Sequence, residues 1–416
     1  TDAYTAAHPN VTFNLVSQPG DNYFSLLQAA AISKTGPDLV LMWTGLFALK
    51  YKEYLTNLKG LVSDGALARQ GSLEWSSDDF NIDNGPYVMP LDRQFYIGFY
   101  NKAAFKKAGL AKVPTTWDEV LANAAKIKAA KVVKYPYIIR TQATTSGASV
   151  TYDYIHILAS YGGRFFNKQG EDWLPVINSP EGISAAKTLR ALAKYGPAAT
   201  NTIGQNQVIA AMQAGDAAQG QVVFAAANAM NDPVASKVAG KIGFAVMPKG
   251  CATCDPGVVS GTWAMSIPTG LTSEREKAAL SYINWVMSKK AQIKFAEYGG
   301  IPTRTDVIAE ANLTATQRDY LAVYQKGMAF VSENIRQTFA APMLSATEQR
   351  LSAIAAGTLT PLAGMNALNA DLVKVVKQTT FAVNEKTTIQ CVKGDRQISV
   401  TRMGADIKCP PGYTKK

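Results

Sequence analysis

Segments with the two-residue period of a strand alternate with segments carrying the period of a helix along most of the chain, and this order constrains the fold more than any other feature. A strand buries one face or two and a helix one stripe, so their alternation selects a layered α/β architecture. Val11–Val16 alternates as a strand, Asp21–Lys34 puts Tyr23, Leu26, Leu27 and Ala30 on one helical face, and Asp38–Trp43 reads as a buried strand running into a loop. Tyr96–Tyr100, Gln221–Ala225 and Lys241–Pro248 read as further strands. Thr116-Trp-Asp-Glu119 is a capping box ahead of Val120, Leu121, Ala124 and Ile127. Ser179-Pro180-Glu181 starts a helix with proline at its first position, and Gly196-Pro197 stops it. Ser273-Glu-Arg-Glu276 opens a helix carrying Leu280, Ile283, Val286 and Met287, and that region ends at Gly299-Gly300-Ile301-Pro302. The expectation is an α/β protein with mostly parallel sheets.

At 416 residues the chain has room for two or three folding units. Hydrophobic residues make up 47% and charged residues 18%, which excludes a disordered chain. No apolar run approaches the ~20 residues that span a bilayer, and the mean hydropathy of −0.04 suits a soluble globular protein. The formal net charge of +11 first suggests nucleic acid, but the segment from Lys386 onward holds seven basic against two acidic residues, and the body has no dense Lys/Arg stripe. Nucleic-acid binders concentrate charge where phosphates lie, so no nucleic-acid partner is expected.

The chain opens at Thr1 in what reads as the end of a helix, with no initiator methionine and no signal peptide, so an upstream segment is expected to have been removed or left out. Four cysteines form two local pairs, Cys251/Cys254 and Cys391/Cys409, which suits an oxidising compartment. Cys251-Ala-Thr-Cys254 is half a zinc site or a redox motif in form. It lacks a second ligand pair and sits in a Gly/Pro-rich loop, so a structural disulfide pinning that loop is preferred. The tail from Thr387 to Lys416 alternates as a hairpin around Gly394-Asp395, and a Cys391–Cys409 bond suits a segment too short to bury a core of its own.

The chemistry that is missing narrows the function. His8 and His156 are the only histidines, and each reads as structural. There is no metalloprotease helix, nucleophile elbow, phosphate-binding loop or dinucleotide fingerprint, so no catalytic residue, metal or cofactor is expected. What remains is a set of aromatic and planar polar residues at strand-to-loop junctions: Trp43, Phe47, Asp92, Gln94, Tyr152, Asp153, Trp263 and Arg304. Open α/β sheets bind ligands where such loops meet. Aromatic faces beside Asp, Gln and Arg suit sugars, whose C–H faces stack while hydroxyls bond to planar polar groups.

The sequence resembles the extracytoplasmic solute-binding proteins of ABC importers, in the carbohydrate-binding group that includes maltose-binding protein. The matching segments are Thr35-Gly-Pro-Asp-Leu-Val-Leu-Met-Trp43, Tyr87-Val-Met-Pro-Leu-Asp92, Phe99-Tyr-Asn101, Pro114-Thr-Thr-Trp-Asp-Glu119, Asn178-Ser-Pro-Glu-Gly182, Met212-Gln-Ala-Gly-Asp216, Gly261-Thr-Trp263 and Gly299-Gly-Ile-Pro-Thr-Arg304. They occur in family order as far as about Gln378, after which the cysteine-bracketed tail is no part of the family core. The resemblance implies a two-lobed periplasmic-binding-protein fold with three hinge crossovers, near Gln94, Gly261 and Ile301–Asp306. Residues 1–94 with 262–305 would form one lobe, 95–261 with 306–386 the other, and 387–416 an appendage. It also places the family's first strand before Thr1.

Carried over by position, Trp43 and Phe47 would stack on the ligand from the first lobe, and Asp92 and Gln94 would bind hydroxyls. Tyr152 and Asp153 would meet it from a helix start, Phe224 would stack on it, and Trp263 and Arg304 would reach it from the hinge. Asn334-Ile-Arg336 would bring Arg336 or Phe339 to the cleft. The implied function is delivery of a mono- or oligosaccharide to a membrane-embedded ABC permease by hinge closure. The protein would be an extracytoplasmic monomer exported by a signal peptide absent from this chain. An anionic solute such as a sugar phosphate is the alternative ligand, on account of Arg304, Arg336 and the net charge. A secreted glycoside hydrolase using Asp92 and Asp153 is the alternative of another class. An adhesion role for the tail is a third.

Overall fold

Two three-stranded sheets organise the body, and each has a central strand that runs against both of its neighbours. The computed structural model describes residues 1–16, 29, 33, 35–43, 51–62, 81–82, 85–144, 149–168, 172–198, 201–259, 261–332, 340–378, 386–394, 396–403, 409 and 413–415. Its strands are β1 (Val40–Trp43), β2 (Asn81–Ile82), β3 (Gly85–Pro86), β4 (Met89–Gln94), β5 (Tyr96–Asn101), β6 (Phe166–Lys168), β7 (Asp172–Pro175), β8 (Gln219–Val223), β9 (Ile242–Ala245), β10 (Val258–Val259), β11 (Gly261–Ser266), β12 (Val331–Ser332), β13 (Lys386–Lys393), β14 (Arg396–Met403) and β15 (Thr414–Lys415). Its helices are α1 (Asp2–Ala7), α2 (Lys102–Lys107), α3 (Trp117–Ala129), α4 (Val150–Ser160), α5 (Pro180–Ala193), α6 (Gln205–Gln213), α7 (Ala226–Met230), α8 (Ser273–Val286), α9 (Lys289–Glu297), α10 (Ala315–Met328), α11 (Ala340–Ala356) and α12 (Pro361–Lys377).

The helix starts follow the local chemistry of the sequence. Thr116 Oγ1 accepts from Glu119 N, and Glu119 Oε2 accepts from Thr116 N, so the capping box of α3 is closed in both directions. Ser179 caps α5, with Pro180 at its first position. Thr272 rather than Ser273 caps α8, one residue earlier than expected. The expected helix at Asp21–Lys34 lies almost wholly outside the described residues.

The first sheet runs β1-β11-β4 and the second β8-β5-β9. Both are antiparallel throughout, and among the described strand pairs β10 with β12 is the parallel one. The expectation of mostly parallel sheets is thereby corrected. Periodicity reports which faces are buried, not strand direction, and here the central strands β11 and β5 enter their sheets directly from the other half of the molecule. Beside the second sheet two parallel single bridges, Tyr135↔Ala217 and Ile138↔Gly220, lay the 135–140 run along β8. Val11–Val16 is likewise not a strand, and Leu15 and Val16 are exposed.

Each sheet has its own core. Met89, Met265, Ile267, Ile283 and Met287 seal the first against α8, while Phe99, Val208, Met212, Val222, Met230 and Ile242 seal the second against α6 and α7. Each such side chain contributes about 1.5–3 kcal/mol when fully buried. A larger cluster joins the two and continues into α4, α5, α11 and α12.

The chain passes between the sheets at three places. One residue, Phe95, separates β4 from β5, and one residue separates β10 from β11. At the third place Ile301 N donates to Asp92 Oδ1 (2.8 Å) and Ile301 O accepts from Arg93 N (3.1 Å). In the tail, β13 pairs with β14 from Lys386↔Met403 to Lys393↔Arg396, β15 adds on the other side, and β14 lies against β7. Both expected disulfides are present, Cys391–Cys409 in this hairpin and Cys251–Cys254 in the loop after β9. That loop is held at Gly250, whose N–H donates to Ser160 O at the end of α4 (2.9 Å).

Candidate functional site

Three rings meet where the sheets face each other. Trp43 ends β1 and is the register partner of Trp263 on β11, with ring centroids 5.4 Å apart at 72°. Tyr152, in the first turn of α4, meets Trp43 edge-on at 6.0 Å and 90°. The contact joins a ring of the first sheet to a helix packed on the second. All three are only partly buried, so the cluster keeps an open side. Gly261 is what admits it: a Cβ there would fall 1.9 Å from Trp43 Cζ2.

Behind Tyr152 lies a buried polar network. Arg140 pairs with Asp153, the two side chains being 5% and 0% exposed, and its guanidinium also covers the faces of Tyr96 (5.1 Å) and Tyr152 (6.0 Å). Burial pushes the Asp153 carboxyl up to about 6, and Arg140 pulls it back. Burial likewise holds the Tyr152 hydroxyl protonated well above its usual range. Around this network five buried polar atoms have no hydrogen-bond partner in the protein: Trp43 Nε1, Thr141 Oγ1, Ser149 Oγ, Thr151 Oγ1 and Asp153 Oδ1. Buried polar groups are normally paired, so such a group is a place for a ligand or water to bond. Trp43 Nε1 is near enough to the Tyr152 hydroxyl to bias its ionisation without meeting bonding geometry.

His156 stacks on Tyr96 at 4.2 Å and 26°, with its ring nitrogens at the carbonyls of Tyr152 (2.7 Å) and Val259 (3.1 Å). Burial lowers its pKa to about 4, against the pull of those two carbonyls. Its unfolded value is near 6.5, so between pH 6.5 and 4 the unfolded chain binds the extra proton, and this contribution to stability is lost as pH falls through that window. His156 imidazole resonances should therefore stay unmoved from pH 8 to 5 in an NMR titration. A midpoint near 6.5 would place the ring in water.

The other expected residues are arranged differently. Asp92 and Gln94 form a relay at the crossing: Asp92 Oδ1 accepts from Ile301 N (2.8 Å), Asp92 Oδ2 from Gln94 Nε2 (2.7 Å), and Gln94 Oε1 from Ala225 N (2.8 Å). Burial raises the Asp92 pKa to about 6. These bonds hold the crossing together. Phe224 lies apart from the ring cluster. Its N–H donates to Phe95 O just past the end of β8, and its ring is 1% exposed in the core among Phe95, Tyr320 and Tyr324. Arg304 is ion-paired: Asp306 accepts from its Nε (3.0 Å) and Nη2 (2.9 Å), and Nη1 donates to Met287 O (2.9 Å). Phe47, Arg336 and Phe339 lie outside the described residues. Among the described residues no group of three or more His, Cys, Asp or Glu side chains could hold a metal ion.

Sequence reasoning missed Arg140, Thr141, Ser149, Thr151 and Glu348. For Arg140 a signal existed: it ends the apolar run Tyr137-Ile-Ile139, as a residue at the end of a buried strand would.

With this geometry in place, comparison with known proteins places the chain. The family model described as bacterial extracellular solute-binding protein matches residues 1–293, and the chain belongs to that family. A mannitol-binding protein of Pseudomonas aeruginosa is 26% identical over 325 residues, 75% of this chain and 71% of that protein. An erythritol/L-threitol-binding protein of Mycolicibacterium smegmatis is 23% identical over 341 residues, 76% of this chain and 69% of that protein. The match to a putative binding protein of Brucella abortus, 28% identical over 197 residues, spans 45% of that relative's length, about half. Among solved structures, maltose-bound T. maritima MalE3 aligns with a TM-score of 0.77 at 19% identity, covering 89% of this chain and 93% of that one. A solute-binding protein of Agrobacterium vitis with bound D-mannitol aligns with a TM-score of 0.75 at 23% identity, covering 91% and 94%. These likenesses establish the two-lobed fold.

Proposed function

We propose that the chain is an extracytoplasmic binding protein that holds a small neutral sugar or polyol between Trp43 and Trp263 on one lobe and Tyr152 on the other, for delivery to an ABC permease. The observation that carries this reading is the set of unpaired buried atoms of Trp43, Thr141, Ser149, Thr151 and Asp153 beside partly open aromatic faces. A polyhydroxylated ligand bonds to such atoms and lays its C–H groups on the rings. The mannitol- and erythritol-binding relatives support the ligand class. On this reading residues 1–94 with 262–305 make one lobe, 95–261 with 306–386 the other, and 387–416 an appendage.

Charge balance favours a neutral ligand over a sugar phosphate, because Arg140 and Arg304 are each matched by an aspartate. The two carboxylates a hydrolase would need are each bonded into a separate network, Asp92 at the crossing and Asp153 to Arg140. Calorimetric titration against D-mannitol, ribitol, D-tagatose, maltose and glucose 6-phosphate tests the reading. One neutral compound should bind at one per chain, shift the tryptophan emission and be recovered intact. Hydrolysis growing with time, or binding of glucose 6-phosphate alone, would sink it.

A further inference from the structure

The carboxylate of Glu348 is fully buried on α11 and accepts four hydrogen bonds from residues 197 to 204 positions earlier in the chain. Oε1 accepts from Ser149 N (3.1 Å) and Thr151 N (2.8 Å), and Oε2 from Thr144 N (2.8 Å) and Thr144 Oγ1 (3.4 Å). A helix leaves its first N–H groups without intrahelical acceptors. At α4 the capping position is Ser149, yet its side chain makes no capping bond and its Oγ is one of the unpaired atoms at the site. Glu348 supplies the missing acceptor from a different helix, with its negative charge at the positive end of the α4 dipole.

The clamped turn is the one that faces the cluster. Thr151 carries an unpaired hydroxyl, and the next residue is Tyr152, whose ring meets Trp43. The charge of Glu348 also acts on the Tyr152 hydroxyl. The clamp is stiff, because α11 packs on α4, α5 and α12, with Leu344, Leu351 and Ile354 buried.

We propose that Glu348 is the positioning residue of the site. By holding the first turn of α4 from α11, it sets where Tyr152 and the Ser149 and Thr151 hydroxyls stand relative to Trp43, and it does so without touching the ligand. This role rests on Tyr152 being a ligand-facing ring.

Glu348→Ala and Glu348→Gln in the full chain test it, with amide hydrogen exchange measured without ligand and D-mannitol titrated alongside a thermal melt. In Glu348→Ala the amides of Ser149 and Thr151 should exchange roughly ten- to a hundredfold faster, and affinity should fall about tenfold. Glu348→Gln keeps one acceptor oxygen and should recover part of both, and it stands alone as the test should the alanine variant not fold. Unchanged exchange at the two amides overturns the proposal. So does faster exchange with the affinity of the folded protein unaltered, which would leave Glu348 a purely structural cap. If the parent binds neither D-mannitol nor ribitol, D-tagatose or maltose, the sugar or polyol reading fails by itself. Glu348 is then judged on the Trp43 indole N–H resonance, which must shift in Glu348→Gln and overturns the role if it stays in place.

Discussion

Gly261→Ala should remove most of the ligand affinity at moderate cost to the fold. The added Cβ would stand 1.9 Å from Trp43 Cζ2 and 2.6 Å from Cε2 and Cη2, far inside any tolerated contact. The backbone cannot retreat, because β11 is bonded to β1 on one side and β4 on the other. The indole must therefore swing out of the cluster, taking its stacking face and its unpaired N–H with it. Loss of one such anchor corresponds to about 1.4–3 kcal/mol, or roughly 10- to 150-fold in affinity. Strain from overpacking adds about 1–3 kcal/mol of destabilisation. Calorimetric titration and a thermal melt of this variant read the two separately. An affinity within twofold of the parent would show that Trp43 is no part of the binding surface.

Arg140→Leu should be the most destabilising single change near the site, and its effect should depend on pH. It leaves the Asp153 carboxylate buried without its counter-charge, a loss of about 3–5 kcal/mol for a broken buried pair. Asp153 already has its pKa raised by burial, and without Arg140 it rises further. A carboxyl whose folded pKa lies above its unfolded value contributes stability at low pH that is lost as pH rises through the folded pKa. The deficit of the variant should therefore be larger at pH 8 than at pH 5 in urea denaturation. An equal deficit at both, or one under about 1 kcal/mol, would mean that the pair is solvated and not the buried network described.

Much of this was readable from local chemistry. The boxes and caps at Thr116 and Ser179 act within a few residues, so the sequence shows them directly, and both cysteine pairs were recognisable because each is close in sequence. Trp43, Trp263 and Tyr152 were singled out as junction aromatics and do come together. Strand direction was not readable, since the partners of β11 and β5 come from distant parts of the chain. The surroundings of Phe224, a core cluster, and of Arg304, an ion pair, were not readable either: a residue type suited to a ligand is equally suited to both, and only the neighbours decide. The Arg140–Asp153 pair and the reach of Glu348 to Thr151 depend on packing between elements that no periodicity records.

Phe95 has a mechanical consequence. Residues on one side of it are laddered to β11 and on the other to β8 and β9, so at this one of the three crossings the two sheets are joined through a single residue. At this crossing a twist between the sheets has only the φ and ψ of Phe95 to absorb it, and the Phe95 ring is stacked on Tyr324 at 4.7 Å. Rotation of one lobe on the other is therefore expected to concentrate at the crossings and to leave the strands unbent. Any probe fixed to either lobe would report the same transition with the same midpoint.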